Sequence, residues 1–310
     1  MLESIQEAAG QIKRLEIQGA RNVAIAAIKA IQKLSGETNA KNKRQLLKEL
    51  SASKEILFAS RETEPLMRNA VRFLLARIEE SKEEKIKALT KIVSAASQQF
   101  LNMLEDSKEK IAEIGAKRIR DNAVILTHCH SSTVTHLLKK ARQDGKSFEV
   151  ICTETRPVFQ GRITVREMLD LGVKTTLIVD SAARYFMNKV DLAVVGCDAI
   201  TSEGNVINKI GTSLIALAAQ ESRTPFYAVS ELLKFDPATM YGDYEKIEER
   251  SPSEIWDKAP KKLIVRNPAF DVTRRDFIHG IICEEGIISP HSIIEVMHRK
   301  YPWAFTQPIS

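Results

Sequence analysis

The chain has 310 residues, 44% hydrophobic and 28% charged, which excludes disordered and collagen-like classes and is enough for two domains with real cores. Its 46 basic residues exceed its 40 acidic ones, giving a net charge of +6, but the charges interleave, as in Lys82-Glu-Glu-Lys85, and describe a solvated surface instead of a nucleic-acid stripe. No run approaches the roughly 18 apolar residues of a membrane span, and Met1-Leu-Glu-Ser-Ile-Gln-Glu7 lacks a secretion signal's apolar centre, so the expectation is a cytoplasmic protein that binds neither membrane nor nucleic acid.

From residue 1 to about 120 the apolar period is helical. Val23, Ala27, Ile31 and Leu34 fall at spacings of three or four, as do Leu89, Val93, Ala96, Phe100 and Leu104. Pro65 after Glu64 reads as the first-turn proline of a helix carrying Leu66, Val71, Leu74, Leu75 and Ile78. Residues 82–116 hold no proline, and no glycine before Gly115, which predicts one long helix joining an all-helical domain over 1–118 to the remainder.

After Arg120 the period changes. Short β-rich runs at Ala123–Leu126, Phe148–Cys152, Thr175–Val179, Leu192–Val195 and Phe226–Val229 alternate with helical patterns at Thr133–Arg142, Val165–Leu171, Ser181–Asn188 and Thr212–Glu221. That alternation predicts an α/β class: a Rossmann-like domain over 119–310 with a mainly parallel sheet. Neither G-x-G-x-x-G nor G-x-x-x-x-G-K-[ST] follows any of these strands, so chemistry without a cofactor is the expectation.

Thr127-His-Cys-His-Ser-Ser-Thr133 joins the first strand to the first crossover helix. Parallel strands present ligands at their carboxyl ends, and a helix start offers free N–H groups to an anion, so Cys129 is placed beside a phosphate with Ser131, Ser132 and Thr133. The same helix start should lower the thiol's pKa. Asp198 follows Leu192-Ala-Val-Val-Gly-Cys197 and shares that sheet edge, so the two could act as base and acid. The bland reading of the pair is a buried cysteine and a turn aspartate.

His128 and His130 invite a metal reading, but neighbours in a strand point to opposite faces, and no metal site is expected. Cys197, by the same alternation, is expected in the core. The four cysteines form no C-x-x-C pair and read as reduced thiols. Arg21, Arg61, Lys209 and Lys234 are cations placed where phosphates could be held, and Gly19 and Gly211 would let the backbone come close to an anion.

Taken together, Thr127-His-Cys-His-Ser-Ser-Thr133, Glu154-Thr-Arg-Pro-Val-Phe-Gln-Gly161, Val194-Val-Gly-Cys-Asp-Ala199, Val206-Ile-Asn-Lys-Ile-Gly-Thr212 and Glu231-Leu-Leu-Lys-Phe-Asp236 resemble the archaeal ribose 1,5-bisphosphate isomerases. That superfamily also holds methylthioribose-1-phosphate isomerase and the regulatory subunits of the exchange factor for translation initiation factor 2. The resemblance implies interconversion of α-D-ribose 1,5-bisphosphate and ribulose 1,5-bisphosphate in nucleotide breakdown, a homohexamer assembled from dimers, and stimulation by AMP. It gives Cys129 and Asp198 the catalytic places. It gives Gly19, Ala20, Arg21, Asn22, Arg61, Ser131, Ser132, Thr133, Asn208, Lys209 and Lys234 the substrate-binding places, and it gives Arg156 a part in shaping the site or an interface.

Two positions depart from the family's pattern. Gln18 stands where an arginine is expected before Gly-Ala, leaving Arg21 as its substitute, and Cys197 stands where an alanine is expected before Asp198. Two competing readings share the architecture. A regulatory subunit that binds sugar phosphates without turnover generally lacks the Cys and Asp pair. A methylthioribose-1-phosphate isomerase carries a Ser-Gly-Cys-Asn-type loop where this chain has Thr127-His-Cys-His130, and needs no site for a second phosphate.

Overall fold

The computed structural model describes residues 2–61, 63–243 and 246–305; Met1 and residues 306–310, at the outer ends of the two expected domains, lie outside the described residues. The helices α1 (Glu3–Lys13), α2 (Ala20–Gly36), α3 (Lys43–Phe58), α4 (Pro65–Glu79) and α5 (Ile86–Ala116) precede the first strand. Pro65 occupies the first turn of α4, as its spacing from Glu64 predicts. The long helix is 31 residues and starts at Ile86 instead of 82, because the charged run before it has no apolar side chain to bury and Lys85 is extended.

The remaining elements alternate: β1 (Ala123–Thr127), α6 (Ser132–Gln143), β2 (Phe148–Thr153), α7 (Gly161–Asp170), β3 (Lys174–Ile178), α8 (Ala183–Met187), β4 (Leu192–Val195), β5 (Ala199–Ile200), β6 (Val206–Lys209), α9 (Thr212–Glu221), β7 (Phe226–Val229), β8 (Phe270–Thr273), β9 (Gly280–Cys283), β10 (Gly286–Ile288) and α10 (Ile293–Lys300). The expected helix over 181–188 is a short 3₁₀ turn, Asp180–Ala182, running into α8.

Seven strands form one sheet in the order β10-β9-β7-β4-β1-β2-β3, parallel except for β10 against β9. From β1 the chain steps outward through β2 to β3, while from β4 it steps the other way through β7 to β9. Strand order therefore reverses between β1 and β4, and a crevice opens there at the strands' carboxyl ends. A smaller antiparallel sheet, β5-β6-β8, stands beyond β4.

Helices and sheet share one core. Ile28, Phe73 and Phe100 from the helices join a cluster with Leu126, Val195 and Phe226 from the strands. The other sheet face packs Val150 and Tyr227 against Ile111, Val134 and Leu137. Helix α5 meets α6 at Gly115, where a Cβ would lie 2.0 Å from Leu137 Cδ1, so that approach requires glycine. On α4, buried Asn69 donates from its amide nitrogen to the carbonyls of Leu233 and Phe235, each at 2.8 Å, and fastens the helices to the segment after β7.

Candidate active site

A cavity of about 560 Å³ opens at the crevice between β1 and β4. Cys129 reaches it from the turn after β1, where the residue takes a left-handed φ of 65°. That turn is held at both ends. The Cys129 N–H donates to Thr155 Oγ1 at 2.9 Å, and Thr164 Oγ1 donates to the Cys129 carbonyl at 2.9 Å. Its thiol donates to Gln160 Oε1 at 3.6 Å.

Asp198 reaches the same cavity from the link between β4 and β5, its N–H donating to the Ile207 carbonyl at 2.8 Å. Gly196 makes this possible. A side chain there would place Cβ 2.7 Å from Ser131 Cβ, so only glycine lets the end of β4 pass the start of α6.

Every residue given a catalytic or substrate-binding place by the resemblance borders this cavity: Gly19, Ala20, Arg21, Asn22, Arg61, Cys129, Ser131, Ser132, Thr133, Asp198, Asn208, Lys209 and Lys234. Two helix starts face it, α2 behind Gly19 and α6 behind Ser131. Gly19 has a φ of 82° and open space beside it, so its backbone is accessible to an anion. Gly211 does not share that property. It caps α9 against the His128 ring, and its N–H donates to Asp271.

The thiol differs from the sequence expectation. Burial pushes the Cys129 pKa up to about 11, outweighing Lys209, which acts to lower it. The helix start two residues on does not offset that burial, which favours a neutral thiol. His128 is a strut: fully inside, its Nδ1 lies 2.5 Å from Thr153 Oγ1 and its Nε2 2.8 Å from the Ile210 carbonyl. Burial lowers its pKa, which keeps the ring neutral. Cys197 is buried as expected, with its thiol donating to the Ala199 carbonyl at 3.2 Å, yet it also borders the cavity.

The cations differ in how far they are committed. Lys234 is buried and donates to the Cys197 carbonyl at 2.7 Å, with the Glu231 carboxylate 3.2 Å away. Burial opposes the charge on Lys234, but Glu231, Cys197 and Asp198 together more than offset it and raise the pKa. Arg21 donates to the Leu104 carbonyl and pairs with Glu105, so its guanidinium is largely engaged on the protein. Lys209 lies 5.1 Å from the Phe270 ring centre. Arg61 leaves its buried Nε and Nη1 without hydrogen-bond partners among the described residues.

Residues 16–290 match the family described as the initiation factor 2 subunit family. The chain belongs to that family. It is similar to the ribose 1,5-bisphosphate isomerase of Archaeoglobus fulgidus, with 41% identity over 308 residues, 98% of this chain and 95% of that relative. A ribose 1,5-bisphosphate isomerase of Pyrococcus furiosus is 40% identical over 312 residues, covering 98% and 96%. Among solved structures, a translation initiation factor eIF-2B of Pyrococcus horikoshii OT3 matches with a TM-score of 0.82 and 31% identity, over 94% of this chain and 98% of that one.

In this member of the initiation factor 2 subunit family, sequence reasoning missed Gln160 and Glu64. Gln160 contacts the thiol and also donates to Gln18 Oε1 at 3.4 Å, so the position that departs from the family's arginine is tied to the site through it. Its signal was its place in the quoted motif Glu154–Gly161. Glu64, next to Pro65, reads as an ordinary surface charge but is fully buried. Arg156 lies outside the cavity lining; it donates to the Ile255 carbonyl at 3.3 Å and stacks over Phe159.

Proposed function

We propose that the protein is an isomerase that interconverts α-D-ribose 1,5-bisphosphate and ribulose 1,5-bisphosphate. One observation carries the reading: Cys129 and Asp198 border a single cavity that two helix starts also face. A bisphosphate needs anion sites at both ends and proton-transfer groups between them. We assign one phosphate to the start of α6 with Ser131, Ser132 and Thr133, and the other to Gly19–Asn22 with Arg61. Asn208, Lys209 and Lys234 line the space near Asp198 and would hold the sugar.

The substrate's anomeric oxygen carries phosphate, so its ring cannot open by losing a proton from that oxygen. Opening requires the C1–ring-oxygen bond to break as the C2 proton leaves. Cys129, as thiolate, takes the C2 proton, the C1=C2 bond forms, and Asp198, as the acid, protonates the departing ring oxygen. The enol phosphate then gives its C2 hydroxyl proton to Asp198 and receives at C1 the proton held by Cys129. Each group ends as it began. The pair requires a thiolate and a carboxylic acid together, whereas burial by itself favours the neutral thiol. A regulatory, non-catalytic role would need neither group in the cavity.

We further propose a cytoplasmic homohexamer built from dimers and stimulated by AMP, as the sequence resemblance implies. The test is to incubate the purified protein with α-D-ribose 1,5-bisphosphate, with and without AMP, and to measure ribulose 1,5-bisphosphate. Cys129→Ser and Asp198→Asn run alongside, each expected to lose roughly 10²–10⁴-fold in turnover. Full turnover by either variant would remove the role given to that residue. Binding without product in the native chain would favour a regulatory role.

A further inference from the structure

Glu64 stands at the N-cap of α4, but its side chain makes no capping bond and turns inward. It is fully buried, and neither carboxylate oxygen has a hydrogen-bond partner among the described residues. Arg61 borders the cavity, is 10% exposed, and places Nε 3.5 Å from Glu64 Oε2. Arg61 thus borders the cavity while its buried Nε and Nη1 have no hydrogen-bond partner among the described residues, and a bare carboxylate lies beside Nε. The other charged groups acting on Glu64 are Asp198 from the link after β4, Lys234 from the turn after β7, and Arg68 on α4 itself.

We propose that Arg61 and Glu64 form one proton-linked anion subsite, in which an anion taken by Arg61 is bound together with a proton taken up by the Glu64 carboxylate. The inference rests on the bisphosphate reading only for the natural anion, a phosphate of the substrate. Two anions would then share one guanidinium, and with Glu64 fully buried their repulsion is only weakly screened. Protonating the carboxylate removes that repulsion. Burial already lifts Glu64 to about 7, with Arg61 opposing the rise and Asp198 adding to it. An anion that draws on the charge of Arg61 lifts it further. Affinity is then level where Glu64 is already protonated and falls by up to about tenfold per pH unit above that range.

Inorganic sulfate is the probe, because its charge is constant between pH 6 and 9. Calorimetry on the full chain at pH 8, in two buffers of different ionisation enthalpy, reads the protons taken up. The expected result is about half a proton or more per sulfate, and a protonated-carboxyl band appearing in the infrared difference spectrum. Arg61→Ala should lose the sulfate. Glu64→Gln, of equal shape, should bind sulfate with a pH-independent affinity and without the band.

No sulfate binding, binding without proton uptake, or equal uptake in folded Glu64→Gln would each overturn the proposal. Should Glu64→Gln not fold, the infrared band in the native chain decides. The isomerase assay is a separate readout: proton-linked sulfate binding with no ribulose 1,5-bisphosphate formed would overturn the function and leave the subsite standing.

Discussion

The thiol of Cys129 donates to the side-chain oxygen of Gln160 across 3.6 Å, tying the turn after β1 to the residue that precedes α7. The Gln160 amide nitrogen is turned to Gln18, so the same side chain spans from the sheet edge to the loop before α2. Thiol orientation and amino-terminal loop position are thereby linked.

Gln160→Ala removes the hydrogen-bond acceptor of the thiol while leaving the thiol itself. A neutral hydrogen bond of this kind is worth about 0.5–1.5 kcal/mol, so kcat for ribulose 1,5-bisphosphate formation should drop roughly 2- to 10-fold. An unchanged kcat would mean that the thiol finds its orientation without Gln160.

Alkylation reports the thiol's ionisation. With the Cys129 pKa near 11, about one molecule in 10⁴ carries the thiolate at pH 7. The rate of iodoacetamide labelling at Cys129, followed by peptide mass, should be slow at neutral pH and climb about tenfold per pH unit through pH 9. A plateau already reached near pH 7 would show an activated thiol.

At Gly115 two effects oppose each other. Alanine favours the helix by about 1 kcal/mol, but its Cβ would meet Leu137 Cδ1 at 2.0 Å and Cγ at 2.6 Å. Overpacking of this kind costs about 1–3 kcal/mol, so Gly115→Ala should lower the urea midpoint. Adding Leu137→Ala to it should cost less than the two single changes summed; strict additivity would refute the clash.

Glu284 is, like Glu64, a buried carboxyl whose raised pKa makes stability depend on pH. It is buried, accepts from Tyr301 Oη at 2.9 Å, and burial raises its carboxyl to about 7. Because the folded pKa exceeds the unfolded value, the folded state holds the extra proton, and stability falls as pH rises from about 4.5 through 7. The size is on the order of 3 kcal/mol for this group. Unfolding free energies measured from pH 5 to 8 should decline, and Glu284→Gln should make the decline shallower, leaving the part due to Glu64; an identical slope in the variant would assign the effect elsewhere.

Much of the frame was legible in the sequence. Leu192–Val195, Phe226–Val229 and Thr212–Glu221 were expected with the bounds that the structure has. Buried parallel strands are continuous apolar runs, and polar or glycine residues mark where they stop. The antiparallel strands β5, β6 and β8, and the edge pair β9 and β10, were not foreseen. They are two to four residues long, and their pairing joins residues such as Val206 and Thr273 that only the tertiary fold brings together. In the site, the pattern located Cys129 and Asp198, because strand ends carry a recognisable position. Burial carries no such mark, so the raised thiol pKa and the buried Glu64 were invisible.

Asn69 has a consequence for how the chain is made. Its amide nitrogen is satisfied by carbonyls 164 and 166 residues further along. When α4 leaves the ribosome those carbonyls have not yet been synthesised, and a polar amide cannot be left bare inside a core without cost. The nascent helices therefore have to wait in a looser, hydrated state, and the last step of their packing is timed by translation of the segment through Phe235.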